Sequence, residues 1–179
     1  MAAILRTDNG NVNWSADGAA CALTPVPRMR PIRRSALGRS GEYELASKAT
    51  RLALRWTGGL AFEVRAGDRT IVTDGDSTAG LSPVELLGAA LGGCMGSDVA
   101  LILIRGRQPL TALDIELSAD RAEEDPRRFT EVRLHFAVRG SVSPAQLERA
   151  IGLSRDKYCS VWHSLRQDLP MHITTSITE

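Results

Sequence analysis

From Thr50 to Asp74 apolar and polar residues alternate with period two, the pattern of strands that bury one face. RLALRW (51–56) and LAFEVRAG (60–67) flank Gly58-Gly59, a hairpin signal, and Asp68-Arg69 makes a second turn before TIVTD. Three short antiparallel strands are predicted. A Gly/Asp/Ser/Thr loop, Asp74–Leu81, then delivers the chain to a stretch of the opposite character, SPVELLGAALGGCMGSDVALILI, Ser82–Ile104. Ser82 is a good helix cap, Pro83 suits the first helical position, and Glu85 has the spacing of a capping-box acid. After Glu85 the stretch carries one charge, Asp98, before Arg105. At 1.5 Å per residue the helix is roughly 30–35 Å long. Apolar around most of its circumference, it belongs in a core. Its Gly-rich middle, with Cys94 and Asp98, is wrong for a membrane span.

Beyond the turn GRQPL, the pattern predicts two longer strands, Thr111–Asp120 and Phe129–Arg139, joined through Asp125-Pro126. Ser143-Pro144-Ala145-Gln146 repeats the helix-start signal, with Gln146 able to reach back to the cap. Leu147, Ala150, Ile151 and Ser154 share one face of this second helix, which is predicted to end near Lys157-Tyr158. Cys159 follows at once. Ser160–Leu165 can form another short helix, and Met171–Thr178 is a last strand. The order βββ-α-ββ-α(α)-β implies an α+β domain over residues 48–179, with helices covering one face of mainly antiparallel sheet.

Residues 1–47 show neither period. Pro25, Pro27 and Pro31 interrupt them, and Arg28, Arg30, Arg33, Arg34 and Arg39 make a basic run without nearby acids. They read as a solvated, partly disordered arm; with no aromatic residues among the arginines, nucleic-acid binding is disfavoured. The whole chain, 179 residues with 43% hydrophobic and 24% charged residues and a net charge of +1, has ordinary globular composition and no bias toward an anionic partner. The start of the chain lacks an apolar signal core, so a cytoplasmic location is expected, where its three cysteines would be reduced. Cys21, Cys94 and Cys159 lack zinc-site spacing, so no metal or cofactor is expected.

The first helix has two faces. Gly88, Gly92 and Gly96 recur every fourth residue and form a stripe that lets another backbone approach, which predicts close helix packing across an obligate dimer. Cys94 lies about 160° from Gly92 and Gly96. SPVELLGAALGGC, followed some sixty residues later by DKYCSV, resembles the OsmC/Ohr family of hydroperoxide reductases. The resemblance covers about residues 50–179. It implies an OsmC-like fold, with mainly antiparallel sheets packed on two central helices, in a tightly intertwined homodimer. It also implies thiol-dependent reduction of organic hydroperoxides, with Cys94 as peroxidatic thiolate, Cys159 as resolving thiol and an external dithiol reductant. Family members hold the reactive thiolate beside an arginine fixed by a glutamate. Glu85 is the matching acid, and Arg51, Arg55, Arg65 and Arg69 are the available arginines.

The residues leave several roles open. Glu85 is about half a turn out of phase with Cys94 and roughly 13 Å away along the axis, so it either caps Ser82 or acts across the dimer. The helix start after Cys159 should favour its thiolate. Asp98, one turn after Cys94, would oppose a thiolate unless paired and reads as structural. His163 and His172 lie nearer Cys159, but a Cys-His hydrolase lacks an oxyanion device here. Leu87, Leu91, Leu101, Tyr158 and Trp162 are the expected apolar walls for fatty or aryl peroxides. The alternative is a non-catalytic protein of the same fold that binds a small ligand or senses redox state.

Overall fold

The computed structural model describes residues 50–179; the predicted arm, its arginines and Cys21 lie outside the described residues. Strands β1 (Ala53–Gly58), β2 (Ala61–Ala66) and β3 (Arg69–Asp74) form one antiparallel sheet. Gly58 and Gly59, at φ 126° and 54°, take the left-handed conformations that a tight hairpin demands and most residues resist. The loop after β3 is fastened by Asp74. Its carboxylate accepts hydrogen bonds from the amides of Asp76, Thr78 and Ala79 and from the Thr78 hydroxyl at 2.7 Å.

Helix α1 (Pro83–Arg105) starts with the predicted capping box: the Glu85 amide donates to Ser82 Oγ and the Ser82 amide donates to the Glu85 carboxylate. One stripe of α1 is buried, Gly88, Leu91, Gly92, Met95, Gly96, Val99 and Leu103, with i, i+3, i+4 spacing. It is not enclosed all round, as its composition implies; Leu87, Leu101 and Ile104 remain exposed. The glycine stripe also meets a different partner from the one expected. It faces β4 (Ala112–Arg121) of the same chain, where a Cβ on Gly88 would lie 3.1 Å from Leu117 and one on Gly96 would overlap Ile115. Glycine is needed there because the large side chains of a strand fill the space over the helix backbone.

The second sheet has the order β4-β5-β6, with β5 at Phe129–Arg139 and β6 at Met171–Thr178. β4 and β5 pair antiparallel, but β5 and β6 pair parallel. The helices between β5 and β6 cross over the sheet and return the chain in the same direction, which a hairpin cannot do. The described residues thus form two three-stranded sheets, antiparallel but for the β5-β6 pair, as the expected α+β fold of mainly antiparallel sheets has it. Val132, Leu134, Phe136 and Val138 of β5, the buried stripe of α1, and Leu147, Ala150 and Ile151 of α2 (Pro144–Leu153) make the core. The face predicted for α2 is the face it buries. Its cap differs: Ser143 makes no side-chain cap bond, and its amide instead donates to Gln108 Oε1 at 3.0 Å.

Candidate functional site

The second helix does not run on to Tyr158 as an α-helix. α2 stops at Leu153, and Ser154–Tyr158 form a single π-helical turn, closed by the Cys159 amide donating to the Ser154 carbonyl at 2.8 Å. The wider turn brings Cys159 to the start of α3 (Ser160–Ser164), where its sulfur accepts the Trp162 amide at 3.3 Å. No local signal in SRDKY announces this turn. Such turns occur often at functional sites.

Cys94, half-buried at the middle of α1, comes from the other side. Its sulfur lies 3.9 Å from Ser160 Oγ. The two sulfurs and a carboxylate oxygen of Asp98 all lie within 4.8 Å of one another. The thiol side of α1 therefore meets the turn after α2, as its angular separation from the glycine stripe requires. Asp98, half-buried, accepts a hydrogen bond at 2.9 Å from the hydroxyl of Ser154, a residue with no solvent exposure. With two thiols and one carboxylate, the cluster is one donor short of a closed tetrahedral metal site among the described residues.

Electrostatics separate the two thiols. Cys159 is fully buried, and that burial pushes its thiol up to about 11. The Trp162 amide works in the other direction and loses, while neighbouring Cys94 adds to the rise. The expectation that the helix start would favour a Cys159 thiolate is thus corrected: desolvation outweighs the Trp162 and Val161 amides at a five-residue helix. Cys94 keeps solvent access.

Glu85 is not brought to the thiols within the chain. Its carboxylate is occupied by the Ser82 amide and hydroxyl, both at 2.7 Å, and by the Ser77 hydroxyl at 3.0 Å. The Ser82 hydroxyl first, then the Ser82 amide and Ser77, hold this carboxyl below its ordinary range. Of the four arginines, Arg55 and Arg65 share Glu63 on the first sheet at 3.3 and 3.7 Å, and Arg51 and Arg69 are exposed. Among the described residues no arginine or lysine hydrogen-bonds either sulfur. The expected apolar walls divide. Leu91 and Trp162 are core residues, Leu87 is exposed, and Leu101 and Tyr158 line a shallow cleft of about 300 Å³ together with Asp98, Ile102 and Arg105. A larger cleft, about 750 Å³, opens elsewhere, between the start of α1 and β4, with Glu85, Leu117 and Phe129 on its walls. His135 bonds Thr174 and Ser176 across β5 and β6, and His172 meets Glu131 at 3.3 Å, so neither serves the thiols.

Two sheets around a long capped helix, with one cysteine at its middle and another at a helix junction, define a class. Residues 74–174 match the family described as OsmC-like protein, and the chain belongs to that family. It is 37% identical to protein YhfA of Escherichia coli K12 over 126 residues, covering 69% of this chain and 92% of YhfA. A solved structure from Aquifex aeolicus VF5 superposes with a TM-score of 0.69 at 28% identity, covering 73% of this chain and 97% of that one. The organic hydroperoxide resistance protein OsmC of Legionella pneumophila shares the fold, with a TM-score of 0.56 at 16% identity over 73% of this chain and 98% of its own.

Proposed function

We propose that this chain reduces organic hydroperoxides to alcohols with two thiols, Cys94 as peroxidatic and Cys159 as resolving cysteine. The observation that carries the reading is the pairing of one accessible and one buried sulfur within 4.8 Å. The Cys94 thiolate attacks the outer peroxide oxygen, the O–O bond breaks, and the departing alkoxide takes a proton, leaving a sulfenic acid and an alcohol. Cys159 then displaces water to form a disulfide, and an external dithiol supplies two electrons and two protons to restore both thiols. The reducing cytoplasm supplies such dithiols.

A thiolate at Cys94 needs a cation, and in this reading it comes from the first sheet of a second copy, with Arg55 and Arg65 already fixed by Glu63. In the same reading Glu85 acts across the dimer, on the arginine and not on the thiolate itself. The apolar faces left bare on the first sheet, including Leu54, Trp56 and Ile71, support a second copy as the partner. The glycine stripe, occupied by β4, does not. The second reading is a non-catalytic small-ligand-binding or redox-sensing protein, favoured by the cleft of about 750 Å³ away from the thiols.

Dithiothreitol-dependent consumption of cumene hydroperoxide tests the proposal. Wild type should consume it, Cys94→Ser should not, and Cys159→Ser should stop at a sulfenic acid on Cys94. Equal consumption by Cys94→Ser, or none by wild type, sinks the peroxidase and moves the ligand-binding reading ahead.

A further inference from the structure

A resolving thiol that is fully buried and pushed up to about 11 is neutral at working pH, and a neutral thiol is a poor nucleophile. Something must take its proton at the moment of attack. Asp98 has a carboxylate oxygen within 4.8 Å of both sulfurs, a separation that one bridging water can span. Its other duty, accepting from Ser154 Oγ at 2.9 Å, fixes the carboxylate to the same π-helical turn whose last amide bond sets Cys159. Among the described residues Asp98 has no ion-pair partner, so in a purely structural role its carboxylate beside two thiols would be a liability, because it opposes the thiolate of Cys94. As a base it has a use.

We propose that Asp98 is the proton acceptor that activates Cys159 for attack on oxidised Cys94. In the peroxide cycle the Cys159 sulfur bonds to the Cys94 sulfur, the S–O bond of the sulfenic acid breaks, and the thiol proton passes through Asp98 to the departing hydroxide as water. The Cys159 sulfur is oxidised and the Cys94 sulfur reduced by the same electron pair. Among the described residues no other titratable or charged group hydrogen-bonds Cys94, Asp98 or Cys159. Arg105 and Tyr158 line the cleft beside Asp98, Arg155 pairs with Asp156 at 2.7 Å, and Lys157 sits over the Tyr158 ring. Glu148, Arg149 and His163 are exposed.

This role rests on the two-cysteine reading, but its test needs no peroxide. In a Cys21→Ser chain, the aromatic disulfide dithiobis-nitrobenzoate reacts first at accessible Cys94 and releases one coloured thiolate. Attack by Cys159 on the mixed disulfide releases a second, and its proton goes to the base. Asp98→Asn keeps an acceptor for Ser154 but loses the base. At about pH 7 it should slow the second release relative to the first by at least about tenfold, with the rate recovering as pH rises and Asp98→Glu restoring part of it. The wild-type second phase should be nearly level between about pH 6 and pH 9. The proposal is overturned if Asp98→Asn stays within about twofold of wild type. It also fails if Asp98→Asn is slow at every pH and Ser154→Ala is equally slow, which would make Asp98 a brace. Should Asp98→Asn not fold, the wild-type profile decides: a rate rising about tenfold per pH unit from 7 to 9 means that no base assists. A wild type that releases both thiolates with this pH profile yet consumes no cumene hydroperoxide would sink the peroxidase and leave the role of Asp98 standing.

Discussion

Val132, Leu134, Phe136 and Val138 of β5 are at most 1% exposed, whereas Leu54, Trp56, Phe62 and Ile71 of the first sheet are between 37% and 64% exposed. Both sets come from strands of the same alternating pattern. The β4-β5-β6 sheet is roofed by α1 and α2, joined to it by short connections, and its inner face is closed within the chain. The β1-β2-β3 sheet is tied through the end of β3 to the residue before the α1 cap, where Thr73 Oγ1 donates to the Leu81 carbonyl at 2.9 Å, and presents most of its apolar residues to solvent. Alternation announces that a face is meant to be covered. It does not say by what.

Three measurements break or sharpen this contrast. Phe136→Ala should cost about 3–5 kcal/mol in denaturant unfolding, because the large side chain leaves a cavity in a core already closed. A loss below about 1 kcal/mol would mean that the second sheet is no more committed than the first. Trp56→Ala, at 64% exposure, should change the stability of an isolated chain by less than about 0.5 kcal/mol. If the first sheet is the dimer face, it should weaken association by about 2 kcal/mol or more, read as dissociation in sedimentation equilibrium. Unchanged sedimentation would free that face for another partner.

The smallest expected effects lie at the pH limits, and each region has its own. The Thr78 hydroxyl, then the Ala79 and Asp76 amides, hold the Asp74 carboxyl below its ordinary range. A lowered folded value contributes stability above the ordinary carboxyl pKa of about 4, and that contribution is lost as pH falls through the lowered value. Cys159 has the opposite sign: its contribution is complete below the ordinary thiol pKa of about 8.5 and is lost as pH rises toward about 11. Thermal melts across pH should therefore lose part of their acid limb in Asp74→Asn and part of their alkaline limb in Cys159→Ser. Unaltered limbs would remove both groups from the account.

Much of this molecule follows from local chemistry and is legible in the chain. Ser82, Pro83 and Glu85 specify the start of α1, Gly58-Gly59 the first hairpin, and Leu147, Ala150 and Ile151 the buried face of α2, which Ser154 continues into the next turn, since each acts on neighbours within a turn or two. The angle between Cys94 and the glycine stripe is likewise a property of helix geometry. Other features depend on contacts distant in sequence and were decided by packing: the parallel pairing of β6 with β5, the use of Gly96 against Ile115 rather than another helix, and the bare apolar face of the first sheet. The π-helical turn belongs with them, because Ser154 is held to Asp98 from a helix that begins some seventy residues earlier, at 2.9 Å. Burial does the rest. The helix start beside Cys159 promises a thiolate, but the thiol ends enclosed in the core, and desolvation, which no local stretch encodes, overrides the amide that points at it.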